Sequence, residues 1–237
     1  MQLSIVIPAY NEQARIVDSV SRVLSYVRDW HDAEVIVVDD GSTDKTPELL
    51  EELGKNQGKL RVLRLEKNSG KGAAVRLGIR NARGSYVLVS DADLSTPIEE
   101  ANKLLEISKR GYPIVIGSRA LTHSDIQVRQ PWYRERMGRI FNLLVQTFLL
   151  KGIHDTQCGF KLYSLPVAQT LFSAQTEDGY TYDVEVLLLA RQLGYAVFEC
   201  PVIWRHAEFS RVSPILDSTK MFMALGRLWW KCRKHKQ

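Results

Sequence analysis

The chain has little cysteine, no linker and no long apolar run, and each absence excludes a class of protein. Its 237 residues include three cysteines, Cys158, Cys200 and Cys232, with no CxxC pair among them. That count argues against a disulfide framework or a zinc site and predicts reduced thiols in a cytosolic protein. No stretch approaches the roughly 18 uninterrupted apolar residues of a bilayer span. The opening "MQLSIVIPAYNE" lacks a basic region followed by an apolar segment, so no signal peptide is expected. Internal repeats, low-complexity tracts and Pro/Gly/Ser linkers are missing too. One domain is therefore expected, and 45% apolar content is enough for a good-sized core.

What is present begins with charge. The net charge is +5, concentrated in "RQPWYRERMGR" and in the C-terminal "RLWWKCRKHKQ". A basic excess of this kind suits an anionic partner: nucleic acid, phosphate or an acidic membrane.

Apolar runs rich in Val, Ile and Leu alternate with helical patterns. Strands are expected at 3–8, 33–40, 60–66, 85–91 and 113–117, with helices at 12–30, 44–54, 70–82 and 96–111. The last of these has Thr96 in the N-cap position and Pro97 at N1. Such alternation predicts an α/β fold with a mainly parallel sheet flanked by helices. Beyond about residue 118 the alternation breaks. Helices are expected at 131–151, 181–194 and 214–233, and a late strand at "YAVFECPVIW".

Open α/β sheets bind ligands at the carboxyl ends of their strands. The first strand ends in "PAYNE", the second in Asp39-Asp40-Gly41-Ser42 and the fourth in Asp91-Ala92-Asp93, so acids converge on one edge. Two carboxylates one residue apart repel unless something neutralises them. A hard divalent cation, Mg²⁺ or Mn²⁺, does this and is completed by substrate phosphates. The alternative, acids that cap the next helix, is weakened because Thr96 already fills that role. "NSGKGAAVRLG" (68–78) opens a helix, where backbone N–H groups favour an anion. It contains no GxxxxGK[ST], and Val75 breaks a dinucleotide fingerprint.

In this order "SIVIPAYNE", "VIVVDDGSTDKT", "NSGKGAAVRLG" and "SDADLSTP" resemble the inverting family 2 glycosyltransferases of GT-A fold. "GSR" (117–119), "DTQCGFKLY" (155–163), "YDVEVLLLA" (182–190) and "CPVIWRH" followed by "SRVS" resemble the polyprenyl-phosphate hexosyltransferases among them. The glucosyl branch fits "DTQCGFKL" and "DVE" better than the mannosyl branch. Where mannosyl enzymes often carry Gln, this chain has Ser95.

The resemblance implies a nucleotide-sugar donor, UDP-glucose first and GDP-mannose second, and a polyprenyl or dolichyl phosphate acceptor. Pro8, Ala9, Tyr10 and Glu12 would line the nucleoside pocket, with Asp39 and Asp40 nearby. Asp91, Ala92 and Asp93 would face the diphosphate, with Asp91 and Asp93 as metal ligands and Lys71 supporting the phosphates. Arg119, Arg129 and Arg134 would hold the acceptor phosphate, Arg119 being the firmest. Asp155, Asp183 and Glu185 would orient sugar hydroxyls or arginines. A phosphate acceptor is already anionic, with a second pKa of about 6, so it needs little general-base help. A hydroxyl acceptor, protein or glycan, would instead demand a carboxylate base such as Asp183 or Glu185.

"IFNLLVQTFLL" (140–150) is apolar nearly all round, and the last helix pairs Trp229 and Trp230 with Lys231, Arg233, Lys234 and Lys236. This is the pattern of an interfacial helix on anionic lipid. The chain is therefore expected to divide into a glycosyltransferase domain at 1–212 and a basic amphipathic helix at 213–237. Its expected place is the cytoplasmic face of a membrane. No nucleic-acid partner is expected, because acidic strand ends repel phosphate and no nucleic-acid motif appears.

Overall fold

The computed structural model describes residues 2–55, 57–206 and 216–234, with backbone alone for Arg134, 216–218 and 232–234. In chain order it runs β1 (Leu3–Ala9), α1 (Ile16–Tyr26), β2 (Ala33–Asp39), α2 (Thr46–Gly54), β3 (Leu60–Arg64), α3 (Lys71–Asn81) and β4 (Tyr86–Val89). Then follow α4 (Ala101–Lys109), β5 (Ile114–Ser118), β6 (Asp125–Val128), α5 (Trp132–Phe148), β7 (Lys161–Ser164) and α6 (Leu165–Ala174). The chain continues through α7 (Tyr182–Gln192), β8 (Val197–Pro201), β9 (Ile203–Arg205) and α8 (Leu216–Lys234).

Seven strands form one sheet in the order β3-β2-β1-β4-β7-β5-β8, and β6 pairs with β9 in a separate parallel ribbon. β7 alone runs antiparallel to its neighbours, β4 and β5. Every residue of β1 and β2 is buried, as central strands covered on both faces require. One apolar cluster joins α3, α6 and α7 to the inner strands, and the other packs α1, α2 and α4 on the opposite face.

The expected α/β fold is the observed one, with several differences, among them β6, a short strand that no expected element covers. β7 and α6 arise from "KLYSLPVAQTLFSA", where a four-residue strand is too short to show a period. The late strand is two, because Pro201 cannot donate to a continuing ladder. Thr96 is not an N-cap: Pro97 precedes a 3-10 turn at Ile98–Glu100, and the Thr96 hydroxyl instead stands 3.9 Å from Cys158 Sγ. Asp93 does not cap a helix either, since it accepts from the Ser95 amide at 2.9 Å.

The expected boundary between 212 and 213 lies outside the described residues. α8 is nevertheless part of the body, since Leu225 and Leu228 are buried in the same core cluster as Tyr182 and Leu187.

Candidate active site

β2, β1 and β4 lie side by side and parallel, with Ala9 level with Asp39 and Val6 level with Val89. Their carboxyl ends therefore open on one edge, where a cleft of about 820 Å³ lies. Its walls include Pro8, Ala9, Tyr10, Glu12, Asp40, Lys71, Asp91, Ala92 and Asp93, nine of the residues expected around the donor. Asp39 is not in the wall. It is fully buried, accepts from Ser42 N at 3.1 Å and stands 3.1 Å from Arg64 Nε.

The loop after β1 is fastened to the loop after β2. Asn11 sits at φ 54, a left-handed position that Asn tolerates, and its side-chain oxygen accepts from the Thr43 and Asp44 amides. The Glu12 amide donates to Thr46 Oγ1 at 2.8 Å. After β4 the chain turns sharply: Leu94 N bonds to Asp91 O at 3.1 Å, with Leu94 at φ 48. An apolar residue held in that region is costly, and such positions gather at functional sites.

Three amides of the "NSGKG" loop, those of Ser69, Gly70 and Gly72, are occupied within the protein, which changes the expected anion site. Asp40 accepts from Ser69 N at 2.8 Å and from Gly70 N at 2.9 Å, while Gly72 N donates to Asp178 O at 2.7 Å. The anion at this helix start is thus the protein's own Asp40. Burial raises its pKa, aided by Asp39 and Asp178 and opposed by the two amides. Gly70 lies at φ 104, and a Cβ there would stand 2.4 Å from Asp178 O.

Lys71, the first residue of α3, reaches Asp91 with Nζ 2.5 Å from Oδ1. Burial favours the neutral form of Asp91, but Lys71, with Lys161 and Arg119 behind it, outweighs burial and lowers its pKa. Asp93 moves the other way: burial first, then the charge of Asp91, raise it. The pair is a repelling dyad, with Lys71 in contact with Asp91 and Arg15, Lys161 and Arg119 acting on it from further off. Gly159 presses on it so closely that a Cβ would lie 2.0 Å from Asp91 Oδ2.

This donor set fits a hard divalent cation. Two carboxylates face the cleft, one of them uncomfortable in its charged form, and the glycine leaves room around Asp91. Among the described residues no third His, Cys, Asp or Glu joins them. The remaining coordination positions would fall to water and phosphate oxygens, the usual arrangement for Mg²⁺.

Arg119 follows β5 and is gripped by Asp155. Its Nε and Nη2 donate to the two carboxylate oxygens at 2.7 and 2.9 Å, and its own amide adds a third bond at 2.9 Å. Its guanidinium carbon lies 5.5 Å from the centre of the Trp204 ring. Burial disfavours the charge, but Asp155 more than compensates and raises the arginine's pKa. Asp155 in turn is held down to about 2, burial being overcome by Arg119.

Asp183 and Glu185, expected beside the substrate, are bonded inside the protein. Asp183 pairs with buried Lys161 at 2.6 Å, not with an arginine. Glu185 accepts from Thr176 N, Thr176 Oγ1 and Glu177 N and so holds the 176–177 turn. Neither lines the cleft. Arg129 is exposed just beyond β6, and Arg134 lies in the first turn of α5. The "SRVS" motif lies outside the described residues.

The structure adds cleft residues that sequence reasoning did not select. Arg15 lines the cleft and pairs with Glu12. The turn at Glu177–Thr181 and the inner side of α8, including Lys220, Met221, Ala224 and Arg227, close it. Arg15 had a signal, its position three residues beyond Glu12. The α8 residues had none, because nothing local says which face of a distant helix meets a cleft.

Comparison with known proteins agrees with the motif order. Residues 4–172 match the family model described as Glycosyl transferase family 2. The dolichyl-phosphate beta-glucosyltransferase of Homo sapiens is 37% identical over 234 residues, covering 93% of this chain and 72% of that protein. The Dictyostelium discoideum protein of the same name is 34% identical over 239 residues, covering 95% and 73%. Among solved structures, glucosyl-3-phosphoglycerate synthase from Mycobacterium tuberculosis, in complex with Mn²⁺, uridine-diphosphate and phosphoglyceric acid, superposes with a TM-score of 0.73. It is 23% identical and covers 96% of this chain and 78% of that one. The acidic edge, the order of motifs around it and these likenesses converge: the chain belongs to glycosyl transferase family 2 and has the fold of its GT-A members.

Proposed function

We propose that this enzyme transfers glucose from UDP-glucose to a polyprenyl or dolichyl phosphate, with inversion, giving a β-linked lipid-phosphate sugar. The observation that carries the reading is the acidic dyad Asp91 and Asp93 in the wall of a nucleotide-sized cleft; Arg119, held by Asp155, lies outside that wall. Arg119 is near enough for its charge to lower the pKa of Asp91. The hexose and the acceptor rest on relatives 34–37% identical that are named dolichyl-phosphate beta-glucosyltransferase.

In this reading Asp91 and Asp93 would be the residues that hold Mg²⁺ or Mn²⁺ in the cleft. A cation bound there supplies Lewis-acid stabilisation of the leaving nucleoside diphosphate. Lys71 and Arg15 add positive charge along the same wall. Arg119, locked by Asp155, orients the acceptor phosphate for in-line attack. A phosphate oxygen forms the bond to the anomeric carbon as the bond to the diphosphate oxygen breaks, its electron pair leaving with the nucleotide. No proton need move, since the acceptor is mostly dianionic at neutral pH. That suits a site whose buried carboxylates Asp155, Asp183 and Glu185 are all engaged in ion pairs or hydrogen bonds.

A membrane surface completes the reading. Trp132, Tyr133, Ile140, Leu143 and Phe148 are exposed on α5, and Phe222, Trp229 and Trp230 on α8. Phe141 and Phe222 join the two helices with ring centres 5.9 Å apart. No helix among the described residues is long and apolar enough to cross a membrane, so these faces would lie on its cytoplasmic surface.

The test is transfer itself. The protein is incubated with polyprenyl phosphate, Mg²⁺ or Mn²⁺, and labelled UDP-glucose or GDP-mannose. Organic-phase label from UDP-glucose is expected. Label from GDP-mannose alone would make it a mannosyl enzyme, and no lipid label with either donor would move the acceptor to another class.

A further inference from the structure

Residues 149–160 connect α5 to β7 with no helix or strand of their own. They nevertheless carry two contacts on which the site depends. Asp155 grips Arg119 by three hydrogen bonds, and Gly159 presses against Asp91. A segment without a backbone ladder takes its order from side chains that satisfy its amides. Asp155 supplies part of that order, since its Oδ1 accepts from Gln157 N and Cys158 N, each at 3.2 Å. What fixes Asp155 itself lies on another element.

That element is β8, the edge strand of the sheet. Glu199 sits at its centre, level with Ile116 of β5, and Arg119 follows the end of that same β5. The Glu199 side chain is only 11% exposed. Its Oε1 accepts from Asp155 N at 3.0 Å. Its Oε2 accepts from His154 N at 2.8 Å and stands 2.8 Å from His154 Nδ1. Among the described residues, both carboxylate oxygens are thus engaged by the same two consecutive residues. Asn142 of α5 adds a bond to the His154 carbonyl. Strand pairing needs no carboxylate; a glutamate engaged wholly by a neighbouring loop serves that loop.

We propose that Glu199 is a positioning residue for transfer: by clamping the 154 and 155 amides it sets Asp155, and through Asp155 the guanidinium of Arg119 that meets the acceptor phosphate. The inference rests on the acceptor reading above and adds the residue that makes Arg119 competent for it. The two amides point at different oxygens, and a carboxylate accepts at both. A glutamine has one oxygen, so its NH₂ would face one of the two amides, donor against donor. The turn must then shift, and Asp155 with it. A guanidinium is a rigid fork, and a shifted partner loses the two-point grip. Arg119 then has to be ordered by the acceptor itself, which weakens acceptor binding.

The test compares the parent with Glu199→Gln, its folding checked by circular dichroism. In the first readout, transfer of labelled glucose to polyprenyl phosphate is followed with Mn²⁺ present. The acceptor KM should rise about tenfold, the scale of one hydrogen bond to a charged group, while the donor KM stays within about twofold. A rise in both, or in neither, overturns the proposal. Adding Glu199→Gln to Asp155→Asn should raise the acceptor KM hardly further, because the clamp acts through Asp155; losses that multiply overturn it. The second readout needs no substrate. Exchange of the Nε–H proton with water is measured by ¹⁵N NMR for Arg119, assigned through Arg119→Lys, and for Arg15, which pairs with Glu12. Glu199→Gln should speed exchange at Arg119 by about tenfold and leave Arg15 unchanged. Equal acceleration at both marks a general loosening, and no acceleration shows that Glu199 does not set Arg119; each sinks the proposal. If the parent labels no lipid, the acceptor reading falls, and the exchange readout alone decides whether Glu199 sets Arg119. Should Glu199→Gln not fold, Glu199→Asp, which keeps both oxygens but withdraws them by one methylene, is read against the same outcomes.

Discussion

Lys71 Nζ lies 2.5 Å from Asp91 Oδ1, so the start of α3 is ionically tied to the end of β4. In this arrangement the lysine competes with any cation for the same carboxylate, yet it also lines the cleft that would hold a diphosphate. Lys71→Met should therefore separate two effects. The concentration of Mn²⁺ needed for half-maximal rate should fall, because a competitor is gone. The kcat/KM for the donor should drop by roughly 10-fold to 100-fold, the scale of one lost charge-assisted contact to a charged transition state. A variant with unchanged donor kinetics would place Lys71 in a structural role only.

Asp93 is the dyad member whose charge is disfavoured, by burial and then by Asp91. Asp93→Asn should abolish most transfer, by about 100-fold or more, while its metal-free melting temperature equals or exceeds that of the parent. The sign follows from linkage: a carboxylate with a raised pKa costs stability once ionised. A large loss of stability in metal-free protein would contradict the picture of a repelling pair.

Gly159 leaves no space for a side chain against Asp91, since a Cβ would stand 2.0 Å from Oδ2. Gly159→Ala should push the Asp91 carboxylate aside. Displacement by about 1 Å costs on the order of 100-fold in rate. Donor and metal titrations should show the loss in metal-dependent turnover, with secondary structure unchanged by circular dichroism. Full activity would mean that Asp91 has a second, equally competent position.

Asp155 gives a pH dependence. Burial opposes its charge, Arg119 overcomes burial, and its pKa stands at about 2. A carboxylate depressed from about 3.9 in the unfolded chain contributes about 2.5 kcal/mol when ionised. That stability is fully present above about pH 4 and is lost as pH falls from there through 2. Denaturant unfolding at pH 5 and pH 3 should show a steeper decline for the parent than for Asp155→Asn. The variant should also be weaker at pH 7, because it strands a buried guanidinium beside a neutral amide. Equal slopes would show that other carboxylates govern the acid limb.

The fold and the acidic edge were legible because their signals are local. Runs such as "SIVIPA" and "VIVVDD" state a buried parallel strand in a few residues, and strand ends that share a sheet edge bring Asp91, Asp93 and Asp40 together. Thr96 was misread because a Thr-Pro pair before an acidic turn looks like a cap, whereas Pro97 here opens a 3-10 turn. β7 escaped notice because its four residues are too few to show a period.

The sequence by itself determined the fold class, the order of the motifs and the position of two carboxylates one residue apart at a strand end, since residue types and spacing suffice for those. The tertiary structure decided which charges are free to act. It placed Asp40 on the amides of the glycine loop, Asp183 on Lys161, Glu185 on the 176–177 turn and α8 against the cleft. The physical reason is that a charge acts through its nearest partner, and these partners are up to tens of residues away along the chain. Only packing brings them within the few ångströms over which a hydrogen bond or an ion pair forms.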